Sequence, residues 1–452
     1  MAHLVLLRER IISWLVHAKT QSKYNAKGAK NFFCIFFALN WPQRPLREIN
    51  MEIQGLNIID ICKTFGTPLY IYDAQKITTQ ISNLKRAFEG TDLQIKYACK
   101  ALTNISILKL LRKNGVGIDA VSINEARLAI RAGFAPEGIN YTPSCVDFSE
   151  IKEGVDLKLN VNLDNLTMLE RFGQTYGNSY PCGIRLNPHI MAGGNIKIST
   201  GHIHSKFGIS IEQLPQIKDI IKKYNIRLQG LHIHTGSEIV ETDVFMKMSD
   251  IFFGIAKDFP DLKQLDFGGG FKVAYKKDDK VTDLPAIGSQ LVAKFAAFEN
   301  ETGRKLQLWI EPGKYLVSEA GYLATKTNVV KETPALTFVG VDSGLNHLIR
   351  PMMYNAYHEI ENVSNPKGVL KKYTVVGNIC ETDTLGSDRD LNEVREGDII
   401  VLKNAGAYGY SMASNYNSRL RPAEVLVIDG AAKLIRERDS FEDLLRGQKD
   451  VL

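Results

Sequence analysis

From about residue 90 onward, short runs rich in β-branched and aliphatic residues alternate with amphipathic stretches of helical period. That alternation restricts the chain to a parallel sheet covered by helices. Strand-like runs stand at 94–98, 116–121, 139–142, 157–161, 183–186, 231–234, 264–267 and 306–310. Eight such units predict an α/β fold of the (β/α)8, TIM-type barrel class, whose chemistry gathers at the C-terminal ends of its strands.

Beyond Gly313 the character changes to runs separated by Gly, Pro and Asp, at 336–341, 373–376, 398–402 and 424–428. They predict a second, mostly β domain, and an early strand at 68–72 lets that domain draw on both chain ends. The expected division is a barrel at 75–313 and a β domain from 51–74 plus 314–452.

Composition narrows the class further. With 44% hydrophobic and 23% charged residues the chain is neither disordered nor collagen-like. No apolar run reaches the length of a membrane span. Residues 1–50 hold eight Lys/Arg against two acids, which accounts for the whole formal charge of +6 and leaves 48 of each sign elsewhere. A neutral body gives no footing for nucleic acid. The six cysteines are scattered without a C-x-x-C pair, so reduced thiols and a cytoplasmic location are expected. The basic first 50 residues contain a short apolar run at 31–39; they are expected to be a disordered extension or an upstream mis-start ahead of Met51, with a targeting peptide as the alternative.

Three strand ends carry chemistry. The first ends in Tyr97-Ala98-Cys99-Lys100, and an enclosed lysine can form a Schiff base with an aldehyde. The seventh ends in Gly268-Gly269-Gly270, where unobstructed N–H groups suit a phosphate. The eighth ends in Glu311-Pro312-Gly313-Lys314, whose carboxylate could hold a proton on a pyridine nitrogen. Together they meet the needs of pyridoxal phosphate, although singly each has an ordinary structural explanation.

His202 with His204 and His232 with His234 have spacings that could bind metal, but no further convergent ligands are evident and none is expected. His234, followed by Thr235-Gly236-Ser237, could instead stack on a flat cofactor while Ser237 reaches its phosphate. Three polar clusters follow the barrel, around Arg350 to Tyr354, Cys380 to Asp383 and Ala405 to Gly409. Arg350 could bind a carboxylate, Glu381 an ammonium group, and Cys380 could move a proton. A structural ion pair for Arg350 and an inert thiol for Cys380 are the alternatives.

In order, the chain presents YACKA, GIDAVS with Asp119 and Ser122, SKFGI, GLHIHTGS, DFGGG, EPGKY, RPMMY, GNICET, and AGAYG followed by NYNSRLRP. This set resembles the fold-type III pyridoxal-phosphate-dependent decarboxylases, most closely the diaminopimelate decarboxylase family, over nearly all of the chain beyond residue 65. The resemblance implies decarboxylation of meso-2,6-diaminopimelate to L-lysine. It implies that Lys100 carries the cofactor, with Asp119 beside it, that His234 stacks on the ring and that Glu311 pairs with the ring nitrogen. Ser237, Gly268, Gly269, Gly270 and Tyr408 would hold the phosphate, with Pro312, Gly313 and Lys314 completing the cofactor site. Lys314, Arg350, Tyr354, Tyr408 and Glu381 would bind substrate, and Cys380 would be the proton donor.

In this family Cys380 and Glu381 would come from a neighbouring subunit, which implies a homodimer with shared sites. Two departures stand out. Lys314 replaces the family's usual arginine and loses its planar fork. The usual CESGD continuation reads Cys380-Glu381-Thr382-Asp383-Thr384. The rival readings are a polyamine-pathway decarboxylase acting on ornithine, arginine or carboxynorspermidine, a non-catalytic carrier of the cofactor, and a metal-dependent barrel hydrolase.

Overall fold

The computed structural model describes residues 51–190 and 200–452, and the expectations for residues 1–50 fall outside them. Strand β1 (Leu69–Asp73) and helix α1 (Ala74–Ala87) precede the barrel. Its strands are β2 (Leu93–Ala98), β3 (Gly117–Ala120), β4 (Ile139–Tyr141), β5 (Asn160–Leu163), β6 (Cys182–Asn187), β7 (Leu228–Ile233), β8 (Gln264–Asp266) and β9 (Gln307–Ile310). All pair in parallel, and β9 pairs with β2 to close the ring. Helices α2 (Ile105–Lys113), α3 (Ile123–Arg131), α4 (Phe148–Asp156), α5 (Leu166–Tyr176), α6 (Leu214–Tyr224), α7 (Thr242–Ala256) and α8 (Leu284–Thr302) follow the first seven strands. Helix α1 packs against α8 and so fills the eighth position.

Local chemistry sets these boundaries. Asp73, Asn104, Ser122, Asp147, Asn165 and Asp283 each accept a backbone N–H at the start of a helix. The fourth barrel strand begins three residues later than the sequence pattern predicts. Leu157 closes α4 by donating to the Glu153 carbonyl, and Lys158 turns the chain at φ 63° before the strand can start.

Side chains alternate across each strand with period two. One parity is apolar and faces the helices: Ile95 and Tyr97, Ile118, Ile139 and Tyr141, Val161, Ile184, Leu231, Leu265 and Leu308 are all buried. The other is polar and buried: Lys96, Asp119, Asn140, Asn162, Arg185, His232, Asp266 and Glu311. Asn140 on β4 reaches Asp266 at 3.3 Å and Glu311 at 3.1 Å on the far side of the ring, so this parity lines the barrel interior.

The second domain follows. Its strands are β10 (Gly321–Glu332), β11 (Thr337–Val341), β12 (Ile360–Asn362), β13 (Leu370–Val376), β14 (Thr384–Asn392), β15 (Ile399–Leu402), β16 (Ala423–Ile428) and β17 (Ala431–Arg436). Strand β1 lies between β10 and β16, so the sheet is built from both ends of the chain, as the sequence predicts. Glu424 on β16 is fully buried and ties the parts together: Tyr72 donates to it at 2.7 Å, Asn104 of the barrel at 2.9 Å, and Arg436 pairs with it. Among the described residues no helix is long and apolar enough to cross a membrane.

Candidate active site

Lys100 sits in the one-turn helix that follows β2. The Ala405–Gly409 loop of the β domain closes over this turn, because Tyr408 N–H donates to the Ala101 carbonyl at 2.9 Å and Ser411 Oγ donates to the same oxygen at 3.0 Å. Below the loop lies a cavity of about 730 Å³ lined by Lys100, His234, Ser237, Lys314, Arg350, Tyr354 and Tyr408. A smaller cavity adjoins it, sharing Lys100, His234, Ser237, Lys314 and Tyr408, and is bordered by Asp119, Gly269, Gly270, Glu311, Pro312 and Gly313. Strand ends distant in sequence thus converge where a barrel keeps its chemistry.

Lys100 opens to the cavity, and protein surrounds it on every other side. Burial alone would depress its pKa, but Tyr408, Asp119 and Glu311 together lift it above the ordinary lysine value. The protein's own charges thus favour the ammonium form of Lys100. Asp119 Oδ1 is buried without a hydrogen-bond partner in the chain.

His234 is held neutral, its pKa driven down by burial and by Arg185 and Lys100. Its Nδ1 accepts from the Gly269 N–H at 3.3 Å, so this N–H orients the ring. The glycines serve close packing here. A Cβ on Gly268, at φ 65°, would meet His234 Nδ1 at 2.7 Å, and one on Gly269 would meet the Glu311 carbonyl oxygen at 2.3 Å. Glu311 N–H donates to the Gly268 carbonyl at 2.7 Å. The turn therefore fixes His234 and Glu311 relative to each other, and Gly270, Ser237 and Tyr408 remain to border the phosphate-sized end.

Burial would raise the Glu311 carboxyl, but His232 beside it and a hydrogen bond from Asp266 more than reverse this and hold it below the usual range. His232 Nε2 lies 3.1 Å from Glu311 Oε2. The His232 and His234 pair is thus divided between a carboxylate and the cavity. His202 and His204 do not line the cavity.

At the other end, Lys314 Nζ pairs with Glu238 Oε1 at 2.7 Å. Arg350 is buried, donates to the Tyr275 hydroxyl at 2.8 Å and lies 5.1 Å from that ring's centre. Cys380 and Glu381 are elsewhere, on an exposed face, where Tyr416 bonds Glu381 and Asn417 Nδ2 donates to Cys380 Sγ at 3.2 Å. Within a single chain the structure does not bring them to the cavity.

Sequence reasoning missed Arg185, Glu238, Lys272 and Tyr275, which also line it. Arg185 had a signal: a charged residue within an apolar strand, in the parity that also carries Lys96, Asp119, Asn140, Asn162, His232 and Asp266. Its guanidinium stacks 4.6 Å from the Phe207 ring.

An amine, a neutral ring, a buried carboxylate and a cradle without side chains fit a phosphorylated pyridine aldehyde. The unpartnered Asp119 oxygen and the glycines that exclude any Cβ are the features an ordinary core would lack.

Comparison with known proteins agrees with this geometry. The family model for the pyridoxal-binding domain of pyridoxal-dependent decarboxylases matches residues 74–318. The diaminopimelate decarboxylase of Methanothermobacter thermautotrophicus is 37% identical over 88% of this chain and 95% of its own length, and that of Escherichia coli K12 is 34% identical over 88% and 98%. Among solved structures, diaminopimelate decarboxylase from Helicobacter pylori in complex with L-lysine superposes with a TM-score of 0.80 at 33% identity, covering 86% of this chain and 98% of that one. A lysine/ornithine decarboxylase from Vibrio vulnificus, at 22% identity and a TM-score of 0.71 over 83% and 98%, shares the fold. The chain belongs to the pyridoxal-dependent decarboxylases, in their diaminopimelate decarboxylase family.

Proposed function

We infer that this protein decarboxylates meso-2,6-diaminopimelate to L-lysine with pyridoxal phosphate. The observation that carries the substrate assignment is one wall of the cavity that holds Lys100: the buried Arg350 guanidinium beside the Lys314–Glu238 pair. A planar guanidinium recognises the carboxylate of a group that carries an ammonium as well. A distal amino-acid end carries both charges, whereas ornithine and arginine end in a cation alone.

The bound cofactor supplies an electron sink for the bond that breaks to CO2. Lys100 would hold the aldehyde carbon, and neutral His234 would pack on the ring face. Glu311, kept ionised, would hold a proton on the ring nitrogen. Gly270, Ser237 and Tyr408 would bind the phosphate, and Arg350 with Tyr354 would orient the distal end. Lys314 and Glu238 line the same wall and would set its charge.

Cys380 and Glu381 face outward, which supports a homodimer in which each chain completes its neighbour's site. Cys380 would then return a proton to the substrate carbon, and Glu381 would bind the distal ammonium. The free thiols of Cys62, Cys99, Cys145, Cys182 and Cys380 fit a reducing cytoplasm.

The test is product stoichiometry. The cofactor-loaded protein offered meso-diaminopimelate should release one L-lysine per CO2. Turnover of ornithine, arginine or carboxynorspermidine in its place would move the protein to the polyamine decarboxylases.

A further inference from the structure

Behind Glu311 lies a second carboxylate that the chemistry above leaves unused. Asp266 ends β8 and is as deeply buried as Glu311. Single atoms of Asp266, Glu311 and His232 lie within 4.8 Å of one another. Asn140 joins the two acids, its Nδ2 standing 3.3 Å from Asp266 Oδ2 and 3.1 Å from Glu311 Oε1. The other Asp266 oxygen accepts the Gly268 N–H at 2.9 Å, and His232 Nε2 stands 3.1 Å from Glu311 Oε2.

Three such residues could ligate a cation, but the donors already aimed at their oxygens oppose it: an amide and a backbone N–H take the positions a metal ion would need. Two carboxylates this close in a dry interior cannot both stay ionised, so the pair shares one proton. The ionisable groups facing them are Lys96 from β2, Lys100 from the turn after it, Asp119 from β3, Arg185 from β6, and His232 and His234 from β7 and its end. His232 lies on the Glu311 side, 3.1 Å from Oε2, and stabilises charge there, while burial, Glu311 and Asp119 raise Asp266 far above the usual carboxylate range.

We propose that Asp266 carries the shared proton and shares it with Glu311 in a hydrogen bond, fixing a single negative charge on Glu311, the carboxylate that would meet the cofactor's ring nitrogen. Asp266 is thereby a positioning residue: it acts through Glu311 and does not line the cavity. The proposal rests on the role given to Glu311 above.

Two measurements test it. In the holoenzyme with 13C-labelled aspartate carboxyls at pH 7, NMR should show a protonated carboxyl that disappears in Asp266→Asn. If no such signal exists, or if it survives the substitution, the proposal is overturned. In turnover, Asp266→Asn keeps an N–H donor toward Glu311 and should stay within about threefold of the parent kcat, while Asp266→Leu should lose about 30-fold or more in kcat with KM for the amino acid little changed. Full kcat in the leucine variant, or equal losses in both variants, would also overturn it. Glu311→Gln separates the two ideas. Undiminished turnover in that variant would refute the role of Glu311, while the aspartate signal would still report where the proton sits.

Discussion

Lys314 Nζ donates to Glu238 Oε1 across 2.7 Å in the wall of the reaction cavity, with Lys314 itself buried. Burial would raise the Glu238 carboxyl, but Lys314, then Arg350 and Lys272, hold it below the ordinary glutamate value. Truncating Lys314 leaves a half-buried carboxylate without its partner and removes one cation from the wall that meets the substrate. Lys314→Ala should raise KM for diaminopimelate about tenfold or more with a smaller fall in kcat, whereas Lys314→Arg should hold or lower KM. Steady-state kinetics of the two variants distinguish these outcomes.

Lys100 and Cys380 belong to different faces of one chain, and this makes subunit sharing measurable. Lys100→Ala and Cys380→Ser should each lose about 100-fold or more in turnover when purified alone. Mixed and allowed to exchange, they should form the proposed dimer with shared sites and recover up to about a quarter of the parent activity, because one of its two sites would regain both groups. No recovery after demonstrated exchange would contradict shared sites.

Glu424 stabilises the junction between barrel and β domain. It is fully buried and bonded by Tyr72, Asn104 and Arg436. Glu424→Ala strands three polar partners and should cost about 3 kcal/mol, seen as a lower denaturation midpoint with an unchanged slope. Tyr72→Phe removes a single hydrogen bond to the same carboxylate and should cost about 1–2 kcal/mol.

Asp383 introduces a pH dependence of stability. Its Oδ1 accepts the Leu345 N–H at 2.5 Å, and its Oδ2 occupies space that a Cβ on Gly377 or Gly344 would fill. Burial lifts its pKa to about 6. A raised carboxyl makes the folded state bind the proton more tightly than the unfolded chain does. Its contribution is therefore fully present below about pH 4 and is lost as pH rises through about 6. With the carboxyl buried, the loss should be on the order of 2–3 kcal/mol. Asp383→Asn should flatten this part of the stability profile, as denaturant titrations at pH 4 and pH 7 would show.

Much of the site is legible from strand ends alone. Lys100, Gly268 to Gly270 and Glu311 each follow an apolar run directly, so counting strands places them on one rim. Asn140, Arg185 and Asp266 lie within or at the end of strands, and their importance depends on distances across the ring that spacing along a chain does not encode. Glu238 and Tyr275 are brought to the wall by loops whose course no periodicity announces. Cys380 and Glu381 could be placed in one loop from sequence, yet which cavity they serve depends on a second chain. In the β domain, β17 reads Ala-Ala-Lys-Leu-Ile-Arg and is largely exposed, so it lacks the alternation that makes β16 obvious.

The central claim is that this cavity selects a substrate with an amino-acid group at both ends. Its most direct test is the ratio of kcat/KM for meso-diaminopimelate to that for L-ornithine, measured in competition on the cofactor-loaded protein. A buried Arg350 without its carboxylate partner should disfavour ornithine about 1,000-fold or more. A ratio near one, or a preference for ornithine, would contradict the account.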